Sequence, residues 1–535
     1  MLDSLWGDDF SLPNEKEKTK KVLDKASKPK EVKVTVEKQI RSKKISLEER
    51  LTLITENVLK VLGKQKENVI TIKTREHFSQ YIDKAIEVGR IDIDTETNNS
   101  LDPITCKLMG PCIYVPGEKQ AYIPINHRNP ETKERLSWQL TEEDCREEFQ
   151  RLIDNNVYIV MHNGKFDYQV IKCTCNIEIA PNWDTMIGAK LLDENERSAG
   201  LKQQYIDKID PEQEKYDIEN LFKDVEYADV DPEIFALYAA TDSYMTDRLY
   251  EWQMNKFKDP DLARVLNLAN TVEMPLVKVV AEMELNGVEF DKEYDERLSK
   301  KYHAKLEALD IKIDQELETL KPKIDAWRLT PEANSKPKKK TGDGEGKSKN
   351  EQLTDPINVA SPTQLAILFY DILQVGVIDK KSPRGTGEDI LEKINLPIAK
   401  LLLERRGLMK LITAFIDSLP GWVNPKTGRI HCHFNAYGAA TGRFSSSDPN
   451  LQQIPSSNHE LRLLFRAGER LKDTEVNEDI IECSSADEIM SNGKYVSVKA
   501  LNVGDILDID NEDETISQYP IKSIELNDLK CIIRI

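Results

Sequence analysis

Four acidic side chains in three widely separated segments constrain the fold of this 535-residue chain more than any other feature. Asp94 and Glu96 close an alternating apolar run that is typical of a strand, and Asp167 follows a second apolar strand-like segment. Asp242 lies in a helical stretch four residues after Tyr238, so these two side chains share one helix face. Because open α/β folds gather strand ends at a common cleft, the pattern predicts an α/β domain with the carboxylates in that cleft.

The residue types also indicate the chemistry of the cleft. Carboxylate oxygens at this density are hard donors that suit Mg²⁺ or Mn²⁺, whereas zinc sites favour thiolate and imidazole ligands. We therefore predict a site for two Mg²⁺ or Mn²⁺ ions, held by Asp94, Glu96, Asp167 and Asp242.

Strand and helix patterns alternate through residues 69–255. A capping-box sequence at Ser46 predicts a helix that runs to Leu62 and ends at Gly63. A further helix is predicted over residues 75–88. Strands are predicted at residues 69–72, 91–94, 111–116, 120–125 and 157–160, and near Ile177.

The three acidic segments resemble the three sequence motifs of the DEDD 3'-5' exonucleases, in the variant whose third motif carries tyrosine. They read Asp94-Thr-Glu96, Asn163-Gly-Lys-Phe-Asp167 and Tyr238-Ala-Ala-Thr-Asp242. Downstream motifs resemble the thumb and the start of the palm of a phage-like family A, or DNA polymerase I-type, DNA polymerase. These motifs begin at Glu273, Glu284, Ser361 and Thr441.

The resemblance implies a ribonuclease H-like exonuclease domain with a mixed sheet, then a mainly helical thumb and partial palm, and a short β-rich tail. It also implies individual roles for the side chains in the cleft. Asp94 would bridge two metal ions, Glu96 and Asp242 would hold the first ion, and Asp167 the second. Tyr238 would position the attacking water, since a phenol exchanges hydrogen bonds without titrating near neutral pH.

DNA is the partner that the resemblance implies, both as a single-stranded 3' end and as a primer-template. Amide and guanidinium groups of the polymerase segment would meet minor-groove acceptors that every correct base pair shares. Basic side chains on a helix would meet phosphates, and the alternative for them is a solvated helix face. The expected DNA contacts are Asn163, Arg405, Lys410, Arg443, Asn450, Gln452 and Gln453. Asp184, directly before an apolar helix, is expected either to be structural or to support the metal ligands without binding the ions itself.

The C-terminal tail departs from the polymerase pattern after Glu482. Residues 483–506 resemble the opening of an intein, or Hint fold, in which Cys483 would be the splicing nucleophile. The resemblance leads us to expect that a separately encoded fragment supplies the rest of the intein and the missing polymerase motifs by trans-splicing. The alternative is a truncated product with a tail that does not splice, or a catalytically silent DNA-binding precursor.

Charge and composition agree with this organisation. Residues 401–470 hold nine Lys plus Arg against five Asp plus Glu, whereas residues 471–535 hold six against fifteen, so the basic stretch carries the polymerase motifs. The sequence has no apolar run of membrane-spanning length and no secretory signal, so we expect a protein of the host cytoplasm without membrane partners. The predicted domains are a disordered arm at 1–45, a helix at 46–68, the exonuclease domain at 69–255, thumb and partial palm at 262–482, and the intein-like part at 483–535.

Overall fold

A computed structural model describes most of the chain, which divides into two compact units, Met1–Lys278 and Val279–Ile535. The predicted arm at 1–45 lies outside the described residues. The described residues are 46–196, 200–211, 222, 225–337, 346–436, 438–439, 441–466 and 501, with the backbone strands of 480–534.

A six-stranded sheet forms the centre of the first unit. Its strands are β1 Val69–Thr71, β2 Arg90–Thr97, β3 Leu108–Tyr114, β4 Gln120–Tyr122, β5 Tyr158–Met161 and β6 Trp183–Asp184. Their order across the sheet is β1-β4-β3-β2-β5-β6. β2 pairs antiparallel with β3 and parallel with β5, so the sheet is mixed, which confirms the predicted α/β class.

Helices surround this sheet, and local capping chemistry starts several of them. Ser46 and Glu49 form the predicted capping box at the first helix, and Thr74 caps the second. Asp231 caps the longest helix of this unit, Pro232–Lys256, which has Pro232 in its first turn. The helices are Leu47–Leu62, Arg75–Val88, Glu142–Asp154, Gly164–Cys175, Thr185–Leu192, Leu201–Lys208, Pro232–Lys256, Ala263–Leu268 and Met274–Asn286, with short helical turns at Gly63–Gln65, Tyr227–Asp229, Pro260–Leu262 and Ala269–Glu273.

The two faces of the sheet carry separate cores because side chains alternate along each strand. Ile91 and Ile93 of β2 face the larger core, which includes residues of helices Arg75–Val88, Glu142–Asp154 and Gly164–Cys175. Cys112 of β3 belongs to the second core, with residues of Pro232–Lys256. Asp94 pairs with Cys112 in register. The acidic residues of β2 therefore lie on the face covered by helix Pro232–Lys256.

The predicted strand near Ile177 is wrong. Ile177 and Ile179 lie in an irregular segment after helix Gly164–Cys175, and the last strand is instead Trp183–Asp184. Both isoleucines are buried in the larger core. The alternation of these isoleucines with a polar residue therefore reflects the burial of their side chains and not the pairing of the backbone with a neighbouring strand.

The second unit is mainly helical, as predicted. Its longest helix, Lys292–Arg328, buries one stripe of side chains and starts at Asp291, whose carboxylate caps the amide of Tyr294. The other helices and helical turns are Pro331–Asn334, Lys349–Gln352, Pro362–Ala366, Ile367–Ile372, Glu388–Leu391, Pro397–Leu411, Ile412–Ile416, Leu419–Trp422, Leu451–Gln453 and His459–Arg462. Short strands are β7 Val288–Phe290, β8 Arg429–Ile430, β9 His433–Asn435, β10 Ser445–Ser447 and β11 Phe465–Arg466.

The tail is β-rich, as expected. Its strands are β12 Ile480–Ser484, β13 Glu488–Ser491, β14 Lys494–Ser497, β15 Ile506–Asp510, β16 Ile516–Pro520, β17 Ser523–Leu526 and β18 Lys530–Arg534. All the pairs among them are antiparallel. Among the described helices, none combines the length and the apolar content needed to traverse a lipid bilayer.

Candidate active site

Strand β2 supplies the first two carboxylates of the site. Asp94 lies opposite Cys112 of β3, and Glu96 lies opposite Gly110. The register of β2 and β3 shifts directly after Glu96, where the regular pairing ends. Both side chains are partly exposed, whereas Thr95 and Thr97 between and after them are buried.

The turn after β5 supplies the third carboxylate. Asn163 has a φ of 60°, a left-handed conformation that asparagine adopts more readily than most residues, and helix Gly164–Cys175 begins at the next residue. Asp167 lies in the first turn of this helix and is buried. The Thr95 hydroxyl donates a hydrogen bond of 2.7 Å to Asp167 Oδ1, which ties this turn to β2.

Asp184 holds the same turn in place from β6. Its carboxylate accepts hydrogen bonds from the amides of Asn163 (3.1 Å) and Gly164 (2.8 Å) and from the amide of Met186 at the next helix (2.9 Å). Burial raises the pKa of Asp184 to about 6, although these amides favour the charged form. Asp184 therefore holds the turn that precedes Asp167, a structural role that also supports one of the predicted metal ligands.

Helix Pro232–Lys256 supplies the last two side chains. Tyr238 packs between aromatic rings, with centroids 5.4 Å from Phe222 and 5.9 Å from Phe235. Asp242 lies one turn further along the helix. Its Oδ1 atom is buried and has no hydrogen-bond partner among the described residues, so this oxygen is available to a cation.

The electrostatics of the four carboxylates show that the fold brings them together. Burial, then the charges of Asp167, Asp242 and Glu96, raise the pKa of Asp94 well above its ordinary value. Burial and the charge of Asp242 raise the pKa of Glu96 to about 8. Burial raises the pKa of Asp167 to about 7 against its hydrogen bonds from Thr95.

Asp242 and Tyr238 belong to the same electrostatic group. Burial raises the pKa of Asp242 against the opposing charge of Lys202. Burial and the charges of Glu96 and Asp242 raise the pKa of Tyr238, so its phenol stays protonated. The charges of Asp167 and Asp242 thus disfavour the ionisation of both Asp94 and Glu96, which indicates that the carboxylates share one site.

Lys202 is a site residue that the sequence analysis missed. It lies at the start of helix Leu201–Lys208, and its Nζ is 3.2 Å from Asp242 Oδ2 and 4.6 Å from the ring centroid of Tyr238. No motif marks this lysine, because it lies between the second and third acidic segments in a stretch without a recognisable pattern.

Divalent cations fit this donor set. The repulsion among the carboxylates and the unpartnered Asp242 Oδ1 would both be relieved by a hard cation. Donor atoms of Asp94, Glu96 and Cys112 lie within 4.8 Å of one another. However, burial and the charges of Glu96 and Asp94 raise the pKa of the Cys112 thiol, so it stays protonated, and a thiol is a poor ligand for Mg²⁺. Among the donor atoms of this site, the carboxylate oxygens are therefore the ones that suit a hard divalent cation.

The predicted DNA contacts of the second unit fall into two groups. Arg443, Gln452 and Gln453 are exposed, and Lys410 is exposed on helix Pro397–Leu411.

Two other predicted contacts are engaged within the fold. The Asn450 side chain accepts hydrogen bonds from Ser446 Oγ (3.0 Å) and the Gln452 amide (3.1 Å), so it caps a helical turn. Arg405 Nε donates to Asp310 Oδ1 at 2.6 Å. A phosphate contact by Arg405 would compete with this ion pair, and the structure therefore favours a structural role for it.

Cys483 lies within β12, whose backbone pairs with β18. Residue 483 stands opposite residue 531 in this register. This strand position accords with a β-rich tail.

Comparison with known proteins gives the same division of the chain. Residues 69–256 match the 3'-5' exonuclease family, and residues 332–477 match DNA polymerase family A. The first match spans the described sheet and all four carboxylates of the candidate site. The second spans the part of the helical unit that follows helix Lys292–Arg328, with the exposed Arg443 and Gln453.

Curated relatives are similar over a larger part of the chain. DNA polymerase I of Borreliella burgdorferi is 28% identical over 426 residues, which cover 79% of this chain and 40% of that protein. DNA polymerase I of Chloroflexus aurantiacus is 30% identical over 398 residues, covering 70% and 36%. The chain thus spans less than half the length of these relatives.

A solved structure shows the likeness of fold. The POL domain of Pol1 from M. smegmatis, in complex with DNA primer-template and dNTP, superposes with a TM-score of 0.51 at 21% identity. The superposition covers 78% of this chain and 61% of that chain. The chain thus holds one segment, residues 69–256, that matches the 3'-5' exonuclease family, and a second, residues 332–477, that matches DNA polymerase family A.

Proposed function

We propose that the first unit hydrolyses the 3'-terminal phosphodiester of single-stranded DNA with the help of two divalent cations. The observation that carries this proposal is the convergence of four carboxylates from three distant segments, with a protonated tyrosine beside them. The match to the 3'-5' exonuclease family supports it. Asp94, Glu96, Asp167 and Asp242 would hold the cations, which are Mg²⁺ or Mn²⁺ by the hardness of their donors.

The roles of the chain's own residues follow from their positions. Bound divalent ions would supply charge neutralisation at the phosphate and a lowered pKa of water. The Tyr238 hydroxyl, which stays protonated, would hydrogen-bond the attacking water and fix its direction. The hydrogen bond from Thr95 keeps Asp167 in place beside β2, so the donor atoms are arranged before substrate arrives.

A labelled single strand tests this proposal directly. With Mg²⁺, the purified chain should shorten a 5'-labelled oligonucleotide from its 3' end, and EDTA should stop the reaction. Asp94→Ala should lower the rate on the order of 100-fold or more, because it removes a ligand of the cations that would stabilise negative charge at the phosphate. Asp154→Ala, an exposed acid outside the site, is the matched control and should act as wild type.

Two results would count against the proposal. Equal rates for wild type and Asp94→Ala would assign the nuclease activity to a contaminant. Binding of the oligonucleotide without Mg²⁺-dependent cleavage would favour the alternative, in which the chain is a catalytically silent DNA-binding precursor.

We propose that the second unit contributes to template-directed DNA synthesis with proofreading, as part of a longer polymerase. The family A match and the exposed amide and guanidinium side chains near residues 443–453 support a contact with primer-template DNA. Arg443→Ala should weaken primer-template binding several-fold with a reduced salt dependence, which anisotropy titrations at two ionic strengths would measure. An unchanged affinity would remove Arg443 from the DNA-binding surface.

For the tail we propose intein-like chemistry at Cys483. Its Sγ would attack the carbonyl carbon of Glu482, a carbon–sulfur bond would form as the peptide carbon–nitrogen bond breaks, and the thiol proton would pass to the released amine. A separately encoded partner segment would supply the groups that activate the thiol. Mass spectrometry of the protein from its natural source should find a peptide in which Glu482 is joined to a residue other than Cys483. Finding only the uncut Glu482-Cys483 peptide would contradict splicing.

A further inference from the structure

We infer that Lys202 is a tethered counter-ion of the carboxylate site, which competes with divalent cations for Asp242 and thereby couples metal binding to DNA binding. This inference rests on the proposed exonuclease function, because it concerns the same site. It adds a regulatory role to a residue that lies outside the three acidic segments.

The contacts of Lys202 are those of a bound cation. Its ammonium lies 3.2 Å from Asp242 Oδ2 and stands over the ring of Tyr238, 4.6 Å from the centroid. Both partners come from the third acidic segment. The second oxygen of Asp242 is buried without a hydrogen-bond partner among the described residues, so Lys202 satisfies only half of this carboxylate.

The charge balance of the site would allow divalent cations to displace Lys202 from Asp242. Four carboxylates carry four negative charges when ionised, and Lys202 offsets one of them. Two divalent ions would neutralise all four carboxylates by themselves. Asp242 then no longer needs the ammonium of Lys202 as a counter-ion. The ammonium is instead attracted to the next negative group that enters the site, which is a phosphate of the DNA strand.

The side chain of Lys202 is able to make this exchange. It keeps 45% of its surface exposed, whereas the Asp242 side chain keeps 17%. A lysine ammonium is a point charge on a flexible four-carbon stem, and it carries three donors that point in any direction. Lys202 can therefore leave Asp242 by rotation of its own side chain, while helix Leu201–Lys208 stays in place.

This exchange makes metal and DNA binding cooperative. Without DNA, a cation must displace the ammonium from Asp242, which weakens its apparent affinity. A phosphate that attracts Lys202 removes this competition, and by linkage a bound cation releases Lys202 for the phosphate. The site would therefore load with metal most readily when a DNA end is present.

Mn²⁺ binding to the full chain tests the inference without reference to turnover. Free Mn²⁺ is measured by electron paramagnetic resonance, with and without deoxyadenosine 5'-monophosphate, a product that carries a phosphate and is not consumed. Lys202→Met keeps the length of the side chain and removes its charge. We expect it to bind Mn²⁺ about two- to fivefold tighter than wild type in the absence of the nucleotide, the range expected for a partly exposed ion pair.

The nucleotide should tighten Mn²⁺ binding to wild type by a larger factor than to Lys202→Met. Lys202→Arg, which keeps the cation, should behave as wild type. Lys208 provides a matched control on the same helix, since it pairs with Glu196 at 3.1 Å and stands 5.9 Å from the centroid of the Trp252 ring. Lys208→Met should leave Mn²⁺ affinity unchanged.

The outcomes separate this inference from the proposed function. If Lys202→Met binds Mn²⁺ as weakly as wild type, or more weakly, Lys202 does not compete with the cation and the inference is overturned, while the exonuclease proposal stands. If wild type and Asp94→Ala bind Mn²⁺ equally, the carboxylate site itself is not a metal site and both fail. Circular dichroism of each variant excludes loss of the fold as the cause.

Discussion

At the scale of single residues, the carboxylates of the candidate site are held in a state that the folded chain disfavours without cations. Asp94, Glu96, Asp167 and Asp242 each have a raised pKa, and burial is the largest cause for every one of them. A fold that keeps such groups buried and close together loses stability when they ionise. A bound divalent cation would recover that stability.

Glu96 gives the clearest test of this loss of folding stability. Its pKa is raised from 4.5 to about 8, so its contribution to stability is complete below pH 4.5 and is lost as the pH rises through about 8. In EDTA above pH 8, the free energy of unfolding of Glu96→Gln should exceed that of wild type by ~1 kcal/mol. The variant should therefore unfold at a higher denaturant concentration. The difference should disappear toward pH 4.5. Glu131→Gln, an exposed acid elsewhere, is the control, and equal unfolding of Glu96→Gln and wild type at both pH values would contradict the raised pKa.

Cys112 gives a second test at this scale, because it lies opposite Asp94 without acting as a ligand of hard cations. Cys112→Ala should change the Mn²⁺ affinity by less than about twofold, since a protonated thiol contributes little to such a site. Asp94→Ala should abolish that binding in the same calorimetric titration. A large loss of affinity in Cys112→Ala would show that the sulfur is a ligand.

At the scale of elements, the turn between β5 and helix Gly164–Cys175 decides where Asp167 lies. Asn163 takes a left-handed conformation, and the Asp184 carboxylate accepts hydrogen bonds from the backbone amides of Asn163 and Gly164. His162 Nδ1 lies 2.8 Å from the Thr185 hydroxyl, which links the turn to the following strand and helix. Backbone geometry and these hydrogen bonds therefore position the third carboxylate.

Gly164 is the residue on which this turn depends most. A Cβ atom there would lie 2.7 Å from Met161 Cβ and 2.9 Å from Pro181 Cγ, both in a packed region. Gly164→Ala should lower the free energy of unfolding by about 1–3 kcal/mol, as overpacking does, and should also weaken Mn²⁺ binding by displacing Asp167.

Gly63→Ala is the matched control for Gly164→Ala. Gly63 has a φ of −57° and nothing within 4 Å of the added Cβ, so this substitution should be neutral or slightly stabilising. Chemical denaturation measures both variants. Equal stability of Gly164→Ala and wild type would mean that the turn relaxes around the added methyl group.

At the scale of the whole molecule, the metal response should be confined to one of the two compact units. All candidate ligands belong to the unit Met1–Lys278, and the unit Val279–Ile535 has its own cores. Ligand binding protects the unit that holds the site. Saturating Mn²⁺ should therefore slow hydrogen exchange in helix Gly164–Cys175 and leave helix Pro397–Leu411 unchanged. Equal protection of both helices would indicate that the units unfold together.

Much of this architecture could be predicted from the sequence. The capping box at Ser46 and the helix over 75–88 were confirmed, because they depend on contacts between residues close in the chain. The strand near Ile177 was wrong, because alternation cannot separate a buried irregular segment from a paired strand. The role of Arg405 could not be foreseen, since its partner Asp310 is 95 residues away.

The residue types of the candidate site and their order along the chain can be read from the sequence, because motifs of carboxylates and tyrosine are local patterns. The contacts of Lys202 with Asp242, of Thr95 with Asp167 and of Cys112 with Asp94 arise only when the chain folds. These contacts join residues that are between 18 and 72 positions apart, and no local pattern specifies which side of a sheet a distant side chain will reach. Packing of the helices on the two faces of the sheet makes that choice, and with it the charge balance of the site.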